Sequence, residues 1–233
     1  MNISKDDWLN YIKKLSSIDH TAAALMEDYI GRFGFNNMEA LTDYAAVLVG
    51  TYGDASAALS AEMYDAIAAA QKKWLPPAEP AEAASYGEVA KTINGIHKTS
   101  ENPKEYGGAV GRLVKRQGAD TMLQNAERDG AEFAWVPNGD TCAFCIALAS
   151  RGWQHMSKAA LKNGHAEHIH SNCDCAYAIR FSSDVEIEGY DPEEYRRQYY
   201  GAEGSTPQER INYMRRQKYA EQKAGLINRT LNE

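Results

Sequence analysis

All four cysteines of this 233-residue chain fall between Cys142 and Cys175, in the stretches DTCAFCIALASRGW from Asp140 and HIHSNCDC from His168. Any fold available to the chain must account for that crowding. Cys142 and Cys145 form a C-x-x-C, the spacing at which two thiolates can turn toward one tetrahedral ion at about 2.3 Å. His170 and Cys173 repeat the i, i+3 spacing, and Cys175 adds a further sulfur two residues on. The two pairs flank residues 146 to 169 and match a closed structural zinc site; soft ligands favour zinc over calcium or magnesium. Five donors compete for four places. Cys142, Cys145, His170 and Cys173 are the first choice, with Cys175 able to replace either of the last two. His155 and His165 have no pairing partner, and His168, two residues before His170, can point to the opposite face, so all three read as surface histidines.

A disulfide reading of the same cysteines is weaker. With 44% hydrophobic residues in 25.8 kDa the chain can bury a core without a covalent staple. Its N-terminus, MNISKDDWLN, is polar where a secretory leader is basic and then apolar. A reducing, cytosolic place of synthesis is therefore expected, where thiols stay reduced. No apolar run reaches the roughly 18 residues of a membrane span, so no membrane partner is expected. The formal charge of -7 argues against a protein that coats nucleic acid over its whole surface.

Catalysis is the second alternative. HAE at His165 to Glu167 beside a C-x-x-C is similar to the H-x-E of zinc deaminases, in which the glutamate shuttles protons. Here the order is inverted. Cys173 and Cys175 would also fill the position that a catalytic zinc keeps open for water. A thioredoxin-type thiol pair is weaker still, since no βαβ pattern surrounds Cys142.

The rest of the chain reads as helices. Trp8, Tyr11, Ile12 and Leu15 recur at i, i+3, i+4, i+7, and Leu25, Met26, Tyr29, Ile30 and Phe33 repeat the stripe one segment on. A third helix is expected from Asn36, with Glu39 as capping-box partner, to about Trp74, with a break near Gly50 or Gly53. PPAEPAEAA from Pro76 reads as a linker or a sharp change of direction. NPKE at Asn102, DPEE at Asp191 and TPQE at Thr206 each place a capping side chain, a proline at the first helical position and a glutamate at the third. Helices over about 103 to 128, 192 to 200 and 207 to 225 follow from them. EFAWVP (Glu132 to Pro137) and CAYAIRF (Cys175 to Phe181) carry the alternation and aromatic content of short strands.

The C-x-x-C with Leu148 and Gly152 shortly after, and the closing H-S-N-C-D-C of His170 to Cys175, resemble the motif of the Mu F-like minor head proteins of tailed bacteriophages, the phage head morphogenesis family. Ser171 stands where that family usually has proline, which leaves the ligands untouched. The motif-bearing resemblance covers about 131 to 182. It implies a minor structural protein of the phage head, assembled in the host cytoplasm and carried in the virion at the capsid interior or portal vertex. Its implied partners are the portal and the major capsid or scaffold protein, and packaged DNA.

Two basic clusters are candidate contacts for DNA or an acidic partner. Arg112, Lys115 and Arg116 share a helical face after the glycine-rich YGGAVG, expected as a turn; the plainer reading is a solvated helix face. The tail from Thr206 carries Arg210, Arg215, Arg216, Lys218, Lys223 and Arg229 against three acidic residues, in contrast to the acidic first 80 residues. YGGAVG lacks the Lys-Ser/Thr of a phosphate-binding loop.

The expected fold is mainly α: a helical body over 1–130, a small α+β zinc-binding module over 131–182, and a helical C-terminal arm over 183–233. The leading functional reading is a non-enzymatic head protein with one structural zinc. Its alternatives are a zinc-dependent hydrolase or deaminase acting on nucleic acid or nucleoside, and a zinc module that binds nucleic acid.

Overall fold

The computed structural model of the chain describes residues 4–138, 141–157 and 175–230. Among these residues the chain runs α1 (Lys5–Phe33), α2 (Met38–Ala70), α3 (Tyr86–His97), α4 (Pro103–Asp129), β1 (Glu132–Val136), α5 (Ala143–Ala149), β2 (Gln154–His155), β3 (Ala176–Arg180), α6 (Pro192–Gly201) and α7 (Pro207–Thr230). The architecture is mainly helical with one small sheet.

Local chemistry starts the helices. The side chains of Ser4, Asn37, Ser85, Asn102 and Asp191 each accept a hydrogen bond from a backbone N–H in the first turn of the helix that follows. At α7 the box is reciprocal: Thr206 Oγ1 accepts from the Glu209 N–H, and the Glu209 carboxylate accepts from the Thr206 N–H. The three starts expected from sequence, NPKE, DPEE and TPQE, all begin helices at their prolines. α1 ends at Gly34, whose φ of 70° favours glycine and whose N–H closes on the Ile30 carbonyl.

α2 departs from expectation. It runs unbroken through Gly50 and Gly53 and stops at Ala70, short of Trp74. The reason for Gly53 lies in packing: a Cβ there would sit 2.0 Å from Gln117 Oε1 of α4. YGGAVG is likewise helix, inside α4, and not a turn. A Cβ on Gly107 would lie 2.7 Å from the Ala23 carbonyl oxygen of α1, and one on Gly111 3.0 Å from that of Asp19. One on Gly118 would lie 2.5 Å from Ser56 Oγ of α2. These glycines let α4 lie against α1, antiparallel, and against α2, parallel.

Two apolar clusters result, one at each end of the three long helices. The first joins Met26 and Ile30 of α1, Leu41 and Val49 of α2, Val89 and Ile93 of α3, and Tyr106 and Val110 of α4. The second joins Trp8, Tyr11, Ile12 and Leu15 of α1, Tyr64 and Ile67 of α2, and Met122 and Leu123 of α4 with the sheet residues Phe133 to Val136 and Ala176 to Ile179. Fully buried side chains such as Met26, Ile67 and Leu123 each contribute roughly 1.5–3 kcal/mol. The boundary at Gly130 is thus a change of element, and the core continues across it.

The proline-rich segment is a strap held down by α4. Gln117, Thr121 and Asn125, one turn apart, all face it: Gln117 Nε2 donates to the Ala81 carbonyl, Thr121 Oγ1 accepts from the Ala81 N–H, and Asn125 exchanges two bonds with the backbone of Glu79. Arg128 reaches the Pro76 and Pro77 carbonyls at 3.1 Å. Prolines cannot satisfy one another in this segment, so buried polar side chains of a neighbouring helix supply its partners.

In the sheet β1 is central, paired antiparallel with β2 on one side and with β3 on the other. The register sets Glu132 opposite Arg180, whose Nε lies 2.6 Å from the carboxylate, and Trp135 opposite Tyr177, with their rings edge to face at 4.6 Å.

Candidate metal centre

The C-x-x-C opens α5, a helix too short for apolar periodicity to reveal. Cys142 is its N-cap, and its sulfur accepts the Cys145 N–H at 3.4 Å. Cys145 is buried at 1% exposure and Cys142 half-buried; both pack on the core cluster that contains the sheet. Cys175 is also 1% exposed and immediately precedes β3, one residue from the Val136–Ala176 pairing.

Three tyrosines surround this part of the core. Tyr195 of α6 has its hydroxyl held above the ordinary range by burial first, then by the Glu194 carboxylate and by Cys175, while a hydrogen bond with Thr141 opposes. That phenol is therefore hydrogen-bonded to the residue preceding Cys142. Tyr177 is pushed up mainly by burial, with Asp120 and Cys145 adding to it. Tyr190 donates to the Ala149 carbonyl at 3.0 Å, fixing the far end of α5. No disulfide joins any two of Cys142, Cys145 and Cys175.

His170 and Cys173, with His165, Glu167 and His168, lie outside the described residues. Among the described residues no three Cys, His, Asp or Glu side chains come together as a group that could hold a metal ion, so Cys142, Cys145 and Cys175 share a core without forming a metal site by themselves. His155 is an exposed strand residue beside Glu132 at 3.8 Å, as expected of a surface histidine.

The basic candidates are less alike than their spacing suggests. Lys115 is buried at 7% exposure, on the packed side of α4. Arg116 is bound to Glu88 of α3 at 2.5 Å, with Asp120 at 3.7 Å. Its guanidinium, with Arg112 and Lys91 nearby, holds the Glu88 carboxyl below the usual range against burial. Arg112 lines the open groove between α3 and α4 with Lys91 and Thr92. In the arm, Arg210 lies over the rings of Tyr199 and Tyr200 at 5.6 and 5.3 Å, whereas Arg215 and Arg216 are exposed. The arginines that sequence spacing groups together thus divide into packed and solvated ones.

A feature that sequence reasoning missed is the seat of the arm. Ala143 of α5, Tyr199 of α6 and Ile211 of α7 form a third apolar cluster with Ile146 and Met214, and Lys218 Nζ donates to the Thr141 carbonyl at 2.8 Å. The signal available was the i, i+3, i+7 run of Ile211, Met214 and Lys218, whose apolar part is only two residues long.

Among the described residues no helix is long and apolar enough to cross a membrane. A family model described as VG15 protein matches residues 2–202, which take in the helical body, the cysteines and α6, and the match points to a phage protein. No curated protein and no solved structure matches the chain.

Proposed function

The chain belongs to the VG15 protein family, and from that premise we propose that it is a minor structural protein of a tailed-phage head, of the Mu F-like head morphogenesis kind. The observation that carries the reading is the cysteine arrangement: a C-x-x-C at the start of α5 and Cys175 at the start of β3, in one core, in the order that the motif has in those head proteins. In this reading Cys142, Cys145, His170 and Cys173 would hold one zinc, with Cys175 able to replace either of the last two.

When bound, a metal there would tie the segment carrying α5 to the closing cysteine motif, and its binding energy would be folding energy. The chain's own residues do the rest. Trp135 and Tyr177 seat the sheet on α1, α2 and α4, and Tyr190, just ahead of α6, ties down the end of α5. The role is structural and not enzymatic, because thiolates and histidine fill the coordination places that a catalytic zinc leaves to water. Portal, major capsid or scaffold protein are the proposed partners, and the exposed Arg215 and Arg216 of the arm offer a contact to packaged DNA. The proposed location is the interior or portal vertex of the virion.

Deletion of the gene from a phage that encodes it tests the role. Infected cells are expected to yield tails but few DNA-filled heads, with recovery on complementation. Normal numbers of filled heads would overturn the proposal.

A further inference from the structure

The strap between α2 and α3 is buried with a period of three. Leu75, Ala78, Ala81 and Ala84 are wholly or partly buried, while Pro76, Pro77, Glu79, Pro80 and Glu82 are exposed. Three residues per turn is the period of a polyproline II helix. Its bound row rests on the bundle: Leu75 and Ala78 pack on the cluster that contains the sheet, and Ala84 on the other. The Ala78 N–H donates to Asp65 of α2 at 2.9 Å, and the side chains of α4 hold the backbone from Pro76 to Ala81.

Trp74, Pro77 and Pro80 form a second row, about 9 Å from one to the next at about 3.1 Å per residue. All three are exposed, and Trp74 is 99% exposed. The turn that presents this indole is fixed: Lys72 takes a φ of 56°, and the Lys73 N–H donates to the Ala68 carbonyl at 2.9 Å. An indole held out in this way adds no packing to its own fold, and tryptophan is the side chain most often found anchoring an interface. Charge gives the row a direction. Lys72 and Lys73 stand at its start and Glu79 and Glu82 at its far end, all exposed.

We propose that this row docks into an aromatic-lined groove on a partner protein, with the Trp74 indole as anchor, the rings of Pro77 and Pro80 packed on the groove's aromatic side chains, and carboxylates of the groove facing Lys72 and Lys73. Proline-rich segments are recognised in this way because the polyproline II shape is already formed and little order is lost on binding. Here α4 fixes that shape before any partner arrives. Glu79 and Glu82 favour a protein over DNA, whose phosphates they repel. The inference makes no use of the cysteines, and it takes from the head reading only the choice of partners to test.

The purified portal, major capsid and scaffold proteins of the phage that encodes the chain are the probes, with a double-stranded DNA fragment as a fourth, and binding of the full-length chain is read by biolayer interferometry. One of the three proteins is expected to bind, with at least a tenfold loss of affinity in Trp74→Ala and a similar loss when Pro77→Ala and Pro80→Ala are combined. The melting temperature of Trp74→Ala should match the parent's, so the loss is not one of folding. Binding by none of the three proteins, or equal affinity of Trp74→Ala and parent, would overturn the proposal. DNA binding that Trp74→Ala weakens tenfold, with protein binding unchanged, would overturn it in favour of a nucleic-acid contact. The head reading is decided separately, by whether the parent chain is present in purified heads.

Discussion

Gly107→Ala and Gly31→Ala make the same chemical change inside two long helices, and the structure assigns them opposite signs. Replacing glycine by alanine in a helix interior gains about 0.8–1.0 kcal/mol of propensity. At Gly31 that gain is kept, because an added methyl group meets nothing within 4 Å. At Gly107 the methyl would lie 2.7 Å from the Ala23 carbonyl oxygen and 2.7 Å from Glu27 Cγ. The glutamate can swing away, but the carbonyl belongs to the backbone of α1 and moves only with the helix. Separating α1 from α4 by the several tenths of an ångström required loosens Met26, Ile30, Tyr106 and Val110 together, all 2% exposed or less. Overpacking of this kind costs about 1–3 kcal/mol, and more where backbone must shift, so the net effect is a loss of about 1–2 kcal/mol. At about 2–4 °C per kcal/mol for a chain of this size, the melting temperature should fall by about 2–8 °C for Gly107→Ala and rise by about 2–4 °C for Gly31→Ala. Thermal unfolding followed by far-ultraviolet circular dichroism measures both. A Gly107→Ala variant as stable as the parent would refute the close α1–α4 approach.

The zinc reading predicts about one zinc per chain by elemental analysis of reduced protein, and its loss in Cys142→Ser. Because the sheet shares its core with Trp8, Tyr11 and Tyr64, limited proteolysis of that variant should open residues 5–15 as well as 131–157, while Met26 to Val49 stay protected; cleavage confined to 131–157 would contradict the shared core. Asp129 predicts an acid limit. Burial raises its pKa, but the bonds from Arg128 and Tyr64 outweigh it and hold the carboxyl below the ordinary aspartate value of about 3.9. A depressed folded-state pKa contributes stability that is full above the unfolded value and is lost as the pH falls through the folded one. Denaturant midpoints should therefore drop below about pH 4 in the parent, and less steeply in Asp129→Asn; identical slopes would remove this pair from the account.

The sequence was most informative where the physics is local. Asn102, Asp191 and Thr206 announce helices because a cap, a proline and a glutamate act within one turn. The Trp8–Leu15 stripe likewise predicts a buried face, yet not which core it joins: the same spacing serves the bundle or the sheet, and only the fold assigns it to the sheet. Glycine misled for the same reason. Gly53, Gly107 and Gly111 look like breaks from within their own segment, but they answer to Gln117, Ala23 and Asp19, which are distant in sequence. α3 escaped notice behind the proline strap, and the strap's bonds to Gln117, Thr121 and Asn125 involve no local pattern at all. At the candidate site the C-x-x-C was legible because it is a local spacing, whereas its place at the start of α5 was not. That Lys115 is packed, Arg116 paired and α7 seated on α5 are tertiary facts that charge counting does not contain.

The central claim is that this chain is a component of the phage head, and quantitative mass spectrometry of DNA-filled heads, purified away from tails and from soluble lysate, tests it most directly. The account predicts the chain in the head fraction at a small fixed number of copies relative to the portal, retained through gradient purification. Finding it only in the soluble fraction, with heads complete without it, would contradict the account.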